Sequence, residues 1–302
     1  MDKLCLSEMY CHIFKGIQLN PGEPELKVLV AGDLYPGGEN ESHLMDKNGT
    51  AIWNDFLLET SDHDFNIVNL ECPLTTRYSP IEKQGPNLSI IPGVINGIIA
   101  GGFNVITLAN NHIMDMGEAG LFDTIKIFEQ NDIFYSGVGK NLIGAEIPLI
   151  LNKSDFSLAV IAIAEHEFST ASRSKPGANP LDVRKNFTQI QKAKESSDFI
   201  LVIFHGGNEF YPYPSPDFQL SCRFFIDSGA DAVICHHTHV VSGFEIYNNK
   251  TIFYGLGNLL FNYEGFRQDN CYQGYAVSLS ISKNRINQFR VIPTVQEKYL
   301  PG

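Results

Sequence analysis

The segment His236-His237-Thr238-His239 crowds three imidazoles into four positions. On an extended strand end, residues two apart point the same way, so His237 and His239 are expected on one side and His236 on the other. Two neutral imidazoles on a common side can bind a first-row metal ion. His236 is then expected beside the ligands rather than among them. A second signal is His205-Gly206-Gly207-Asn208-Glu209, where His205 adds an imidazole and the glycines allow close backbone approach. Glu209 is either a partner of a ligating histidine or a solvated loop charge. The third signal is Ala109-Asn110-Asn111-His112. The Asn111 carbonyl can ligate a metal while His112 stays free to give a proton to a leaving oxygen, a division of labour suited to metal-assisted hydrolysis. Asp115 either orients His112 or begins the helix that follows. Asp33, after Gly32, and Glu71 supply hard oxygen ligands, and a carboxylate between two ions can bridge them. This donor mixture suits one or two divalent ions of the manganese, iron or zinc class. Scattered cysteines without a CxxC pair exclude the common thiolate structural-zinc pattern.

These residues sit where an α/β fold would bring them together. Short, β-branched-rich apolar runs read as strands buried on both faces: Lys27–Ala31, Phe65–Leu70, Phe103–Leu108, Leu158–Ala164, Phe199–Phe204 and Ala232–Cys235. Five of them end in a potential ligand, namely Asp33, Glu71, Asn111, His205 and the His236–His239 cluster. Ligands of open α/β sheets lie beyond the carboxyl ends of the strands, so the repeated placement points to one shared metal centre. Helical spacing recurs between the runs, at Ile52, Phe56 and Glu59, at Leu121, Ile125 and Phe128, at Val183, Phe187, Ile190 and Ala193, and at Phe218, Cys222, Phe225 and Ile226. Asp217, after Pro216, stands in a helix first turn. Gly243–Tyr247, Lys250–Phe253, Tyr275–Ile281 and Ile286–Ile292 read as consecutive strands with turns at Asn248-Asn249 and Asn284. Arg173–Pro180 is the strongest loop signal. The expected organisation is an N-terminal extension over residues 1–25 and one domain over 26–302.

Composition narrows the partners. The chain has 302 residues, 43% hydrophobic and 19% charged, enough for a sizeable core without low-complexity tracts. A net charge of −12 argues against nucleic acid and anionic membranes, both of which need a cationic surface. An anionic small-molecule or polymer substrate would have to be drawn in locally, by a bound metal or by Arg77, Lys83 or Arg267. No run of about 18 apolar residues suggests a membrane span. Met1–Lys15 lacks the apolar centre of a secretory signal, so a cytoplasmic location is expected. The six cysteines are expected to be reduced and mostly buried.

Taken in order, Gly32-Asp33, Asn69–Glu71, ANNH with the following Asp115 and Gly117, HGGNE from His205, GADAVICHHTHV from Gly229 and YGLGNLLF from Tyr254 form a pattern. It resembles the CapA family of capsule and poly-γ-glutamate synthesis proteins, within the calcineurin-like metallophosphatase superfamily, over about Leu26 to Phe261. The resemblance implies a four-layer α/β/β/α sandwich with a two-metal site at the strand ends. Asp33 then matches the first carboxylate ligand and Glu71 the bridging acid. Asn111 matches the ligating Asn, His112 the proton donor, and His205, His237 and His239 the imidazole ligands. Three departures stand out. Tyr35 occupies the place of a ligating His, the bridging acid is Glu rather than Asp, and Cys235 replaces a glycine. The implied activity is hydrolysis of a phosphoester or a γ-glutamyl-type bond. Tyr35 motivates the alternative, a weakly catalytic or non-catalytic factor in polymer synthesis or export.

Overall fold

A computed structural model describes residues 4–6, 13–15, 26–38, 40–45, 49–263, 265 and 269–296. Arg267 and most of the 1–25 extension lie outside the described residues. Along the chain come β1 (Leu4–Leu6), β2 (Ile13–Lys15), β3 (Leu26–Tyr35), β4 (Phe65–Leu70), β5 (Val105–Thr107) and β6 (Phe134–Ser136). There follow β7 (Val138–Gly139), β8 (Leu149–Lys153), β9 (Phe156–Ala164), β10 (Gly177–Ala178), β11 (Phe199–His205) and β12 (Ala232–His236). The series closes with β13 (Phe244–Tyr247), β14 (Lys250–Phe253), β15 (Asn258–Phe261), β16 (Gln273–Ser282) and β17 (Arg285–Gln296). One sheet runs β1-β17-β16-β3-β4-β5-β6, with β15 also on β3 and β2 on β17. The other runs β13-β14-β12-β11-β9-β8.

Alternation along the central strands explains the layering. In β9 and β11, Leu158, Val160, Leu201 and Ile203 join the large core shared with the first sheet. Their neighbours Ala159, Ile161, Ile200 and Val202 face the other way, onto Ile190, Phe218, Cys222 and Phe225 of two helices. Successive residues of a strand point to opposite faces, so a strand apolar at every position must be covered on both. Trp53, Phe56, Leu121 and Phe128 belong to the same large core as the first sheet, and they come from its own helices and turns. The result is the helix–sheet–sheet–helix stack expected from the motifs.

Several boundaries moved for identifiable reasons. β3 continues past Ala31 to Tyr35, because Asp33 and Leu34 pair with Asn69 and Leu70 while Asn258–Phe261 lies along Asp33–Tyr35. β15 was missed by the sequence reading, its buried run being only Asn258–Phe261 long. The consecutive strands divide between sheets: β13 and β14 join the second, β16 and β17 the first. Arg173–Pro180 contains β10, paired with β7. The segment around Ile52 is helical only over Phe56–Ser61. Helix Val183–Lys194 keeps only half of the expected stripe: Ile190 and Ala193 are buried, but Val183 and Phe187 are exposed and Asn186 and Gln189 take their place. Asn186 donates to Pro180 O at 3.3 Å and Gln189 to Glu146 O at 2.6 Å. Loop carbonyls beneath the helix need donors, and that requirement selects the polar face. The stripe Phe218, Cys222, Phe225 and Ile226 is buried as expected, on a helix capped by Ser215 Oγ accepting from Phe218 N. Cys72, Cys222 and Cys235 are free, buried thiols, and Cys271 is buried as well. Among the described residues no helix is long and apolar enough to cross a membrane.

Candidate metal centre

Parallel pairing of β3 with β4 and of β4 with β5 sets three strand ends side by side. β11 and β12, also parallel, do the same in the second sheet. Asp33 lies near the end of β3, Glu71 follows β4, Asn111 and His112 follow β5, His205 ends β11 and His236 ends β12. Every metal-ligand candidate named from the sequence is thus brought to one region, and all are buried. Gly32 makes the approach possible: a Cβ there would sit 2.2 Å from the Gly257 carbonyl oxygen. That carbonyl accepts from Asp33 N at 3.0 Å, which fixes the carboxylate in place.

Two groups of ligand atoms lie within 4.8 Å of one another, Glu71 with His205 and His237, and Asp33 with Glu71 and His239. Glu71 belongs to both, as a bridging acid must. His205 Nε2 is 3.0 Å from Asn111 Oδ1, which adds the amide oxygen to the first group. Ligands held at about 2.0–2.2 Å from one ion are themselves about 3 Å apart, so this spacing fits a shared cation. Glu71 carries the clearest signal. Both its oxygens are buried, and among the described residues neither has a hydrogen-bond partner. His205 Nε2 and His239 Nε2 stand off from its Oε1 at 3.5 and 3.8 Å. Buried carboxylates normally collect donors, and one without any asks for a cation.

The electrostatics agree. Burial pushes the Glu71 carboxyl well above the usual range, and the negative charge of Asp33 adds to the push. Burial opposes ionisation of Asp33 too, but His236, with His205 and His239, outweighs it and holds that carboxyl well below the usual range. His237 is pulled down to about 3 by burial, assisted by the neighbouring His239. His205 and His239 are also lowered, burial being the largest cause. Neutral imidazoles are the ligating form.

The histidine cluster departs from the extended geometry expected of it. β12 ends at His236, and His237 and His239 have φ of 90° and 56°. This left-handed turn breaks the alternation, so His236 does not point away: its Nδ1 is 3.0 Å from Asp33 Oδ1. His237 N donates to Asp33 Oδ2 at 3.0 Å. His239 Nδ1 donates to Asn258 Oδ1 at 3.0 Å, and its Nε2 is on the side of Glu71, 3.8 Å from Oε1. Asn69 Nδ2 lies 2.8 Å from Asp33 Oδ1 and 3.2 Å from His205 Nδ1. Asn69 and Asn258 lie within the sequence motifs, but nothing in their spacing signals these supporting contacts. Tyr35 packs its ring on Phe261, 5.2 Å between centroids. Cys235 faces Cys222, with sulfurs 3.5 Å apart.

A cavity of about 900 Å³ opens over Asn111, His112 and His237. His112 Nδ1 is 2.6 Å from Asp115 Oδ2. The alternative for Asp115 fails, because the helix begins only at Gly117 and Asp115 is fully buried. Glu209 is exposed and lines the cavity together with Glu167 and with Gln84 to Pro86. Glu167 Oε1 lies 3.9 Å from His237 Nε2. Gly207, at φ 100°, turns the chain so that its N donates to Glu165 Oε2 at 3.1 Å. Of the three suggested cations, Lys83 borders the cavity but is paired with Asp115, and Arg77 is paired with Asp123.

Two stacked sheets flanked by helices are the fold of calcineurin-like phosphoesterases. The calcineurin-like phosphoesterase YfkN from Bacillus subtilis superposes with a TM-score of 0.52 at 13% identity, over 91% of this chain and 90% of that one. A hypothetical protein from Thermus thermophilus gives a TM-score of 0.56 at 12% identity, over 90% and 100%. At such identities the likeness is one of fold. Residues 27–263 match the family described as bacterial capsule synthesis protein PGA_cap, and the chain belongs to that family. The PGA biosynthesis protein CapA of Bacillus subtilis (strain 168) is 30% identical over 273 residues, 89% of this chain and 71% of that protein. The capsule biosynthesis protein CapA of Bacillus anthracis is 28% identical over 249 residues, 79% of this chain. The match covers 60% of the length of that relative.

Proposed function

We propose that this protein is a metal-dependent hydrolase acting on a phosphoester or γ-glutamyl-type bond in capsule or poly-γ-glutamate synthesis. The observation that carries the reading is Glu71, a buried carboxylate without donors standing between two sets of ligands. Asp33, Glu71 and His239 would hold one divalent ion, and Glu71, Asn111, His205 and His237 a second. Ions bound there supply Lewis acidity and acidify water at neutral pH. His112 works from the cavity side. With Nδ1 committed to Asp115, Nε2 is the nitrogen left to deliver a proton to the leaving atom. His236 steadies Asp33, Asn258 orients His239, and Asn69 ties Asp33 to His205.

Elemental analysis of the purified protein beside His239→Ala, followed by phosphoester and γ-glutamyl substrates with manganese, iron or zinc, tests this. Retained metal with no turnover in either substrate class would defeat the hydrolase reading. Such a result would favour a second one, a factor in polymer synthesis or export that keeps the site without efficient turnover. Tyr35, packed on Phe261 in the place of a ligand, supports that second reading.

A further inference from the structure

Between Thr75 and Ile90 the chain leaves the sheet region and returns to its own starting point. Thr75 N donates to Ile90 O at 2.8 Å, and Ile90 N to Pro73 O at 3.1 Å. Most of the intervening side chains are exposed, Tyr78 by 87%. Lys83, at the centre of the loop, has a side chain only 2% exposed. A buried ammonium is costly unless paired. Its partner is Asp115, equally buried, with which Lys83 Nζ forms an ion pair through Oδ1. The same Nζ lies 3.1 Å from His112 Nδ1 and 5.7 Å from the centre of the Phe168 ring. The other oxygen of Asp115 takes His112 Nδ1 and Leu88 N, each at 2.6 Å, and Asp115 O accepts from Ile81 N at 3.0 Å. One carboxylate therefore joins the His112 ring to two points of the loop.

We propose that Lys83 is a positioning residue for His112, acting through Asp115 and tying the loop into the site as a wall of the cavity. This rests on the reading of His112 as proton donor. A carboxylate with one oxygen held by an ammonium cannot turn without breaking an ion pair where water is excluded. Oδ2 thus stays aimed at His112 Nδ1–H, which fixes the plane of the ring and directs Nε2, the nitrogen that carries the donated proton in the doubly protonated ring, to the cavity. The same pair sets the position of Gln84, Gly85 and Pro86, which form one side of the cavity. Arg77, paired with Asp123 at 2.9 Å, tethers the same loop without touching Asp115.

The experiment is NMR of the full chain labelled on its histidine rings, with the His112 signals assigned through His112→Asn. In the wild type, His112 Nδ1–H gives a slowly exchanging low-field proton, and the ring shows an NOE to the Lys83 ε-methylene protons. Lys83→Met abolishes the low-field proton, Lys83→Arg restores it, and Arg77→Ala leaves it unchanged. With a substrate in hand, Lys83→Met lowers kcat about tenfold at nearly constant KM, and Lys83→Arg recovers most of the loss. A low-field proton that survives Lys83→Met overturns the proposal, and so does its equal loss in Arg77→Ala. Should Lys83→Met not fold, absence of the wild-type NOE still overturns it. Because the ring signals need no turnover, they judge Lys83 even if no substrate is hydrolysed.

Discussion

Replacing Glu71 with Gln should stabilise the metal-free protein and yet take away its response to metal. In the metal-free state the Glu71 carboxyl is buried, lacks donors and faces Asp33. An unsatisfied buried polar group costs about 1–3 kcal/mol. Gln keeps the shape, removes the acidic group, and can donate an N–H to Asp33, whose charge is held by His236. Its own carbonyl keeps part of the original penalty, so the net gain is about 1–2 kcal/mol. For a chain of this size roughly 2 °C of Tm accompanies each kcal/mol, giving a rise of about 2–4 °C. Metal reverses the order. At a concentration of 100 Kd a ligand bound only by the folded state adds about 2.7 kcal/mol, or about 5 °C, to the wild type. A neutral amide does not bridge two cations, so the variant loses most of that increment. Calorimetry in chelator and in excess manganese reads both effects, and the two melting curves should exchange order. A variant that melts below the wild type in chelator, or responds to manganese as strongly, refutes the assignment of Glu71.

Three further outcomes follow from the same geometry. Metal-free protein should lose stability on acidification: His205, His237 and His239 have native pKa values below 6.5, so their contribution is present above that pH and is lost as pH falls toward about 3. Glu71, raised by burial, titrates in the opposite sense, so urea denaturation midpoints at pH 7.5, 6 and 4.5 are taken in Glu71→Gln, where a flat profile contradicts buried neutral imidazoles. Metal uptake should release protons, since ionised Glu71 is the binding form while burial and Asp33 favour its protonated form; affinity then rises with pH. Calorimetric titration in two buffers of different ionisation enthalpy counts those protons, and a count of zero contradicts it. His112→Asn should lower turnover about 10²–10⁴-fold at unchanged metal content, measured by rate and elemental analysis together.

The site was legible because ligands close to strand ends converge whenever the strands run parallel, whatever their separation in sequence. Asp33, Glu71, Asn111, His205, His237 and His239 could therefore be gathered without coordinates. Local backbone was harder. The turn at His237 and His239 uses left-handed conformations that a non-glycine residue seldom adopts, and period-two reasoning could not foresee them. The orientation of His236 was misjudged for that reason. Helix Val183–Lys194 failed differently: apolar periodicity ranked Val183 and Phe187 above Asn186 and Gln189, but tertiary carbonyls awaiting donors outweighed it. The burial of Lys83 carries no sequence signature, because a lysine in an exposed loop reads as solvated until the fold sets Asp115 against it.

The position of β3 has a consequence in time. One edge of its Asp33–Tyr35 end is lined by Asn258–Phe261, and the Asp33 amide is held by Gly257. During synthesis the ribosome must therefore emit more than two hundred further residues before Asp33 acquires that support. Contacts so remote in sequence close slowly. The earlier strands must wait with an open edge, a state prone to wrong pairing. A chain arrested before Gly257 would hold all six proposed ligands and still have no finished place to put an ion.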